Sequence, residues 1–367
     1  MKNFKYITIV CLGLLTMSSC KITDKGESKN VIIAKEVLSE DGFLNAPLVS
    51  AIYTADPSAH VFNDRIYIYP SHDIESTIVD DDCGSQYGMQ DYIVLSMDSI
   101  GGNVTIHDIA LDIKDVPWAT RQFWAPDAAF KNGKYYLYFP AKDKEDRFRI
   151  GVAVSDKPEG PFKAAPNYIQ GSYSIDPAVF TDDDGSSYMY FGGIWGGQLQ
   201  RWENNTYEDS DCSKQDRGNP ESPAILPRIA KLTDDMLAFS ESVKEVEILD
   251  EEGKPLLTKD NDRRFFEACW IHKKDDVYYL SYSTGDTHYI VYATSDNPYG
   301  PFTYKGVLNN PVLGWTNHHS VVEVNGKWYL FYHDIQLSNQ TNLRNVKVTE
   351  LIHKSDGSIK TINTILK

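Results

Sequence analysis

Five residues at matching places in a repeated phrase could do chemistry together: Asp56, Trp124, Asp176, Glu267 and His318. Each leads a short apolar strand, a tight turn and a second, aromatic strand. The copies read Asp56-PSAHVFNDRIYIY, Trp124-APDAAFKNGKYYLY, Asp176-PAVFTDDDGSSYMY, Glu267-ACWIHKKDDVYYLSY and His318-HSVVEVNGKWYLFY. Cleaving the acetal between two sugars needs two carboxyl groups. One is protonated and donates to the leaving oxygen; the other is ionised and acts at the anomeric carbon. A third carboxylate nearby can push their pKa values apart, because a like charge raises a neighbour. Asp56, Asp176 and Glu267 supply that set. The longer Glu267 suits the reach to a leaving group, and the shorter Asp56 suits holding a water.

Each residue also has an ordinary reading. Asp-Pro pairs such as Asp56-Pro57 and Asp176-Pro177 open turns, Trp124 could be core packing, and an inner-strand histidine is often a satisfied core group. Glu267 is harder to place that way. It sits between Phe265, Phe266, Ala268 and Trp270, where an unpaired charge is costly and the protonated form is favoured. The shared position of the three carboxyls carries the functional reading. Trp124 would then be a platform for a sugar ring, and His319 a second substrate contact beside His318. Arg344, pointing inward, would bind sugar hydroxyls and support the ionised carboxylates.

The elements that must position these residues are strands. A strand pair repeated five times predicts an all-β fold, a five-bladed β-propeller whose inner strands line one channel. Hairpin signals fall at Asn63-Asp64, Asn132-Gly133, Asp184-Gly185, Asp275-Asp276 and Asn325-Gly326. Outer-strand segments repeat too: Ile150-GVAVSDKPEGPF and Ile290-VYATSDNPYGPF read as the second halves of blades two and four. Asp182, Asp183 and Asp184 lack the spacing of a calcium loop and read as a hairpin. Two longer excursions, about 71–92 and 195–225, are candidates for the rim of a pocket. Val346 onward forms a last pair of strands, and no second domain is expected after it.

The boundaries drawn are 1–20 as a lipoprotein signal peptide, 21–45 as a polar tether and 46–367 as the propeller. Lys2 and Lys5 precede an apolar run from Ile7 to Met17, then Ser18, Ser19 and Cys20, which is a leader too short to span a bilayer once mature. A cysteine directly after small residues resembles a bacterial lipobox, with Cys20 acylated and the protein anchored at the cell envelope; simple secretion is the alternative. The net charge of −16 argues against nucleic acid or an anionic membrane surface as partner and is compatible with a neutral polysaccharide. Cys83 and Cys212 could pair, while Cys269 reads as a buried small hydrophobe.

The motifs together resemble glycoside hydrolase family 43, the five-bladed propellers acting on xylose- and arabinose-containing plant cell-wall polysaccharides. The resemblance runs from about Tyr53 onward. It rests on Asp56-Pro, Trp124-Ala-Pro-Asp127, Ser174-Ile-Asp176-Pro, Phe266-Glu267-Ala, His318-His319-Ser and Arg344. It implies an inverting β-xylosidase, or as the alternative an α-L-arabinofuranosidase or arabinanase acting on arabinan or arabinoxylan, in which Asp56 is the general base and Glu267 the general acid. Asp176 would tune the acid, and Arg344 would contact the sugar in the cleaved subsite. His318 would lie near a central ion, often calcium, held largely through water; Asn317 stands where a glycine commonly precedes that histidine. Two other classes stay open at this level. One is a lipoprotein that binds glycans without cleaving them, and the other is a glycoside phosphorylase, which would need a cationic phosphate pocket.

Overall fold

The computed structural model describes residues 42–79, 81, 83–209 and 219–365. The leader, Cys20 and most of the expected tether lie outside the described residues. The first strands of the five copies are Tyr53–Phe62, Asp127–Lys131, Ala178–Thr181, Glu267–Lys274 and His319–Val324. Each pairs antiparallel with the aromatic strand of its own copy. The five first strands touch one another in ring order, the last closing on the first, so the chain is an all-β, five-bladed propeller. The segments matched by sequence fall on equivalent third strands, Phe148–Ser155 in blade two and Ile290–Ser295 in blade four.

The repeat works because its second strand carries a buried tyrosine. Tyr69, Tyr138, Tyr190, Tyr282 and Tyr332, one per blade, are each almost fully buried. Buried phenols need a partner. Tyr69 donates to the Pro158 carbonyl at 2.7 Å and Tyr138 to that of Met236 at 3.0 Å, tying each blade to neighbouring loops. The hairpins turn as expected. Asn63, Asp64, Asn132, Asp275, Asp276 and Asn325 adopt positive φ, the conformation that tight two-residue turns require. The Asp182 to Gly185 run is also a turn, and the Asp182 carboxylate is taken by Lys273 and Tyr278.

Blade five has only three strands of its own, and the start of the described chain completes the ring. Leu48 N–H donates to the Val346 carbonyl at 2.8 Å and Thr54 N–H to that of Arg344 at 2.9 Å. Phe43 bridges Ile365, and Leu44 N–H donates to the Thr364 carbonyl at 2.9 Å. Residues 43 and 44 thus pair with the C-terminal end of the described chain.

Inside the ring, below the level of the candidate residues, Asp127 ties three blades. Its carboxylate accepts from Ser58 Oγ, from His60 Nε2 at 2.7 Å and from the backbone N–H groups of Ala128 and Val179. A buried carboxylate satisfied this fully braces the channel wall.

Candidate active site

Irregular backbone aims the carboxyls. The register of the first blade breaks between Ala55 and Ser58, so Asp56 and Pro57 together face Pro70; a matching break falls between Glu267 and Trp270 in blade four. Bulges of this kind re-aim side chains. Asp56, Asp176 and Ala268 lie at φ 46°, 56° and 60°, in the left-handed region that non-glycine residues avoid. Strain retained at three converging positions is characteristic of functional sites.

Asp56 is buried in a net of donors. Arg344 Nη1 donates to its Oδ1 at 2.8 Å and Ser71 Oγ to its Oδ2 at 2.7 Å. Its backbone N–H donates to His333 Nδ1 at 3.0 Å, which leaves the His333 proton on Nε2, facing Thr316. Burial pushes Asp56 up, but Arg344, His333, His318 and Ser71 outweigh it and hold the carboxyl at about 2. Arg344 is itself clamped. Its Nε and Nη2 fork onto the two oxygens of Asp73, both at 2.8 Å, its backbone N–H donates to Asp73, and its guanidinium lies 4.5 Å from the Tyr87 ring centre. A bidentate fork fixes a guanidinium plane as a lysine could not.

Glu267 is in the opposite state. Burial, reinforced by the Asp56 charge and only partly relieved by Arg344, raises it to about 8. Asp176 is raised as well, first by burial and then by Glu267 and Asp56. Its Oδ2 accepts the N–H of Ala268 at 2.8 Å, so it grips the backbone directly after Glu267. His318 Nδ1 lies 3.7 Å from Asp56 and 3.9 Å from Asp176, and burial holds its imidazole down at about 4, neutral at ordinary pH.

Asp56, Trp124, Asp176, Glu267, His318 and Arg344 line one pocket, with Gln86, Tyr87, Trp195 and Trp315 from the loops around it. Trp124 is largely buried, donates its indole N–H to the Tyr87 carbonyl at 3.0 Å and packs on Phe148. His319 is a correction. It is fully buried outside the pocket, with Nε2 at 2.6 Å from Ser281 Oγ, because successive side chains on a strand point to opposite faces. As to a metal, no group of three or more His, Cys, Asp and Glu side chains forms a cage among the described residues. A lone neutral imidazole at His318 fits only an ion whose remaining ligands are water, and no catalytic step is derived through one. Cys83 is disulfide-bonded; Cys212, its expected partner, lies outside the described residues, and Cys269 is free and buried.

Sequence reasoning missed Ser71, Asp73, His333, Tyr87, Thr316, Trp195 and Trp315. Tyr87 and Trp195 fall in the two excursions already marked as a rim. Ser71 and His333 lie near the ends of the second strands Arg65–Asp73 and Lys327–Asp334, past the aromatic residues that repeat. Asp73 also falls in the first excursion, with nothing in the sequence to point it at Arg344.

The arrangement does acid–base work. An ionised carboxylate and a proton-holding carboxyl share a channel-mouth pocket in which the Arg344 guanidinium is committed to carboxylates. A five-bladed propeller with such a site is a glycoside hydrolase. The profile described as Glycosyl hydrolases family 43 matches residues 46–359, and the chain belongs to that family. It is 59% identical to xylosidase/arabinosidase 43A of Humicola insolens over 86% of this chain and 98% of that one. It is 51% identical to a beta-xylosidase of Xylanibacter ruminicola, over 84% and 97%. Among solved structures, the β-xylosidase/α-arabinofuranosidase CoXyl43, from a compost microbial metagenome and in complex with xylotriose in a calcium-free form, is 66% identical. It superimposes with a TM-score of 0.87 over 89% of this chain and 99% of that one.

Proposed function

We propose that the protein removes xylose from β-linked xylo-oligosaccharides of plant cell walls, accepts α-L-arabinofuranosyl groups as a second substrate, and inverts the anomeric centre. The observation that carries this is the split between Asp56, held ionised at about 2, and Glu267, held protonated up to about 8. The relatives named xylosidase and arabinosidase supply the sugar class. Glu267 gives its proton to the glycosidic oxygen as the C–O bond breaks. Asp56 takes a proton from the water that attacks the anomeric carbon, and both carboxyls are reset through solvent. A binder would have no use for carboxyls held in opposite states. A phosphorylase lacks support because Arg344, the one guanidinium lining the pocket among the described residues, is occupied by Asp56 and Asp73.

Proton NMR of early xylobiose hydrolysis tests the reading: α-xylose is expected to form first. A first-formed β-xylose, or transfer to added methanol, would mean a covalent intermediate on Asp56 and overturn the assignment of its role. The family resemblance also keeps an ion, often calcium and held largely through water, near His318. A melting temperature unmoved by EDTA and by added calcium would remove it. The leader sequence keeps the lipid anchor at the cell envelope. Cys20→Ala is expected to leave the membrane fraction or fail to be processed, and a variant fractionating like the parent would sink that idea.

A further inference from the structure

Two histidines meet where blade four borders the end of the chain, away from the pocket. His272 lies near the far end of Glu267–Lys274, and His353 follows Asn345–Leu351, the last strand of blade five. Their Nε2 atoms stand 3.1 Å apart. His272 is buried, with the Tyr279 ring stacked on it at 4.9 Å and 11° and the Trp328 ring 5.0 Å away. His353 meets the same two rings edge to face, at 5.1 and 5.2 Å. The loop that carries it is pinned as well: the Tyr279 hydroxyl donates to the Gly357 carbonyl at 2.9 Å, and His353 bridges Ile359.

Nothing fixes where the protons of this pair sit. Both Nδ1 atoms are buried with no partner among the described residues, so each is free to carry its ring's proton and leave Nε2 bare. Burial lowers both imidazoles, His353 to about 4, so both are neutral at ordinary pH. In the metal-free pair one Nε2 must keep a proton to bridge the gap. A cation placed there lets both rings turn lone pairs inward. Metal–nitrogen bonds of about 2.0–2.1 Å set two ligands roughly 2.9 Å apart at a right angle and roughly 3.3 Å apart at the tetrahedral angle. The observed separation falls between the two. His353 also opens on a surface pocket that holds Asp275, Glu323 and Glu350 with Lys273, Lys274 and Lys327. These charges balance, so an arriving cation meets no net repulsion and keeps solvent access for its remaining ligands.

We propose that His272 and His353 form a site for a divalent transition-metal ion such as zinc or copper(II), held by the two Nε2 atoms and completed by water. Imidazole nitrogen selects this class over calcium and magnesium, which take oxygen. The site is separate from the channel, where His318 offers a single imidazole. With two protein ligands rather than the four of a structural zinc site, the ion exchanges with solvent. Bound, it ties blade four to the segment after blade five, whose end pairs with residues 43 and 44. An ion that binds only the folded chain stabilises it.

Thermal melting of the full chain with and without zinc tests the site. With zinc at about 0.1 mM the parent is expected to melt roughly 2–5 °C higher, and His353→Gln to show no shift. The shift is read within each protein, so any stability lost through the substitution itself cancels. A parent that does not respond, or a His353→Gln variant that responds equally, would overturn the proposal. Electron paramagnetic resonance of the parent with one equivalent of copper(II) gives a reading that depends on no variant. Splitting from two imidazole nitrogens is expected, and a spectrum showing one or none rules the pair out.

Discussion

At the scale of single residues the site is a device for holding two carboxyls in opposite states. As the proposed acid, Glu267 must be protonated to act, so kcat/KM on xylobiose is expected to fall as pH rises through about 8. As the proposed base, Asp56 must be ionised and stays so down to about 2, so its protonation is not expected to set the acid limit. Stability is expected to set it. Burial holds His318 at about 4 and His333 at about 3, below the ordinary value near 6.5. The unfolded chain therefore binds these protons first, so the two imidazoles take stability away as pH drops from about 6.5 toward 4, while Glu267 and Asp176, both raised on folding, act in the opposite direction. Asp56, with its depressed folded value, adds stability above about 3.9 that is lost as pH falls toward 2. Glu267→Gln keeps shape but has no proton to donate. It is expected to lose roughly 100-fold or more on xylobiose and far less on aryl xylosides with good leaving groups. Equal loss on both would take the acid role from Glu267.

At the scale of elements, function depends on departures from the regular repeat. The bulges at Asp56-Pro57 and after Glu267 turn carboxyls into the channel mouth, where an unbroken ladder would continue the strand. The two excursions supply the pocket walls and meet at Gly84 and Gly196. That contact can be tested against a matched control. Gly84 and Gly133 have similar positive φ, 81° and 74°, but a Cβ at Gly133 meets nothing within 4 Å. Gly133→Ala is expected to cost about 1–2 kcal/mol, the left-handed penalty alone. Gly84→Ala must also displace backbone, so its melting temperature should fall further and kcat/KM should drop as Tyr87 shifts. Equal melting temperatures for the two variants would show that the loops are not held against each other.

At the scale of the whole molecule, the ring is sealed where the two ends of the described chain meet. Leu48 and Val49 are buried against a cluster that includes Phe331 and Val346 of blade five. A chain beginning at residue 42 keeps this whole seam and serves as the reference. One beginning at residue 54 loses both side chains, each contributing about 1.5–3 kcal/mol on burial. It also loses the Leu48 hydrogen bond to Val346, and should melt well below the longer chain. Matching thermal transitions would mean that blade five closes without this segment. The seal also bears on catalysis: Thr54 N–H is bonded to the Arg344 carbonyl, two residues from Asp56, so loosening the seam should lower kcat as well as stability.

The sequence by itself determined what repeats. Strand alternation, hairpin residues and the aromatic second strand recur at fixed spacing, so five blades, a shared channel and the convergence of Asp56, Asp176 and Glu267 could be read without coordinates. Periodicity places residues at equivalent heights, and in a closed ring equivalent heights meet. It does not say which way a side chain faces beside an irregular stretch, and so His319 was expected in the pocket and is buried behind it. Nor does it reach contacts between distant segments. Asp73 forks onto a guanidinium 271 positions away, and the Asp56 backbone donates to a histidine 277 positions away. Those contacts, with burial, decide that Asp56 is ionised and Glu267 protonated. A pKa belongs to the surroundings of a carboxyl, and only the folded chain brings those surroundings together.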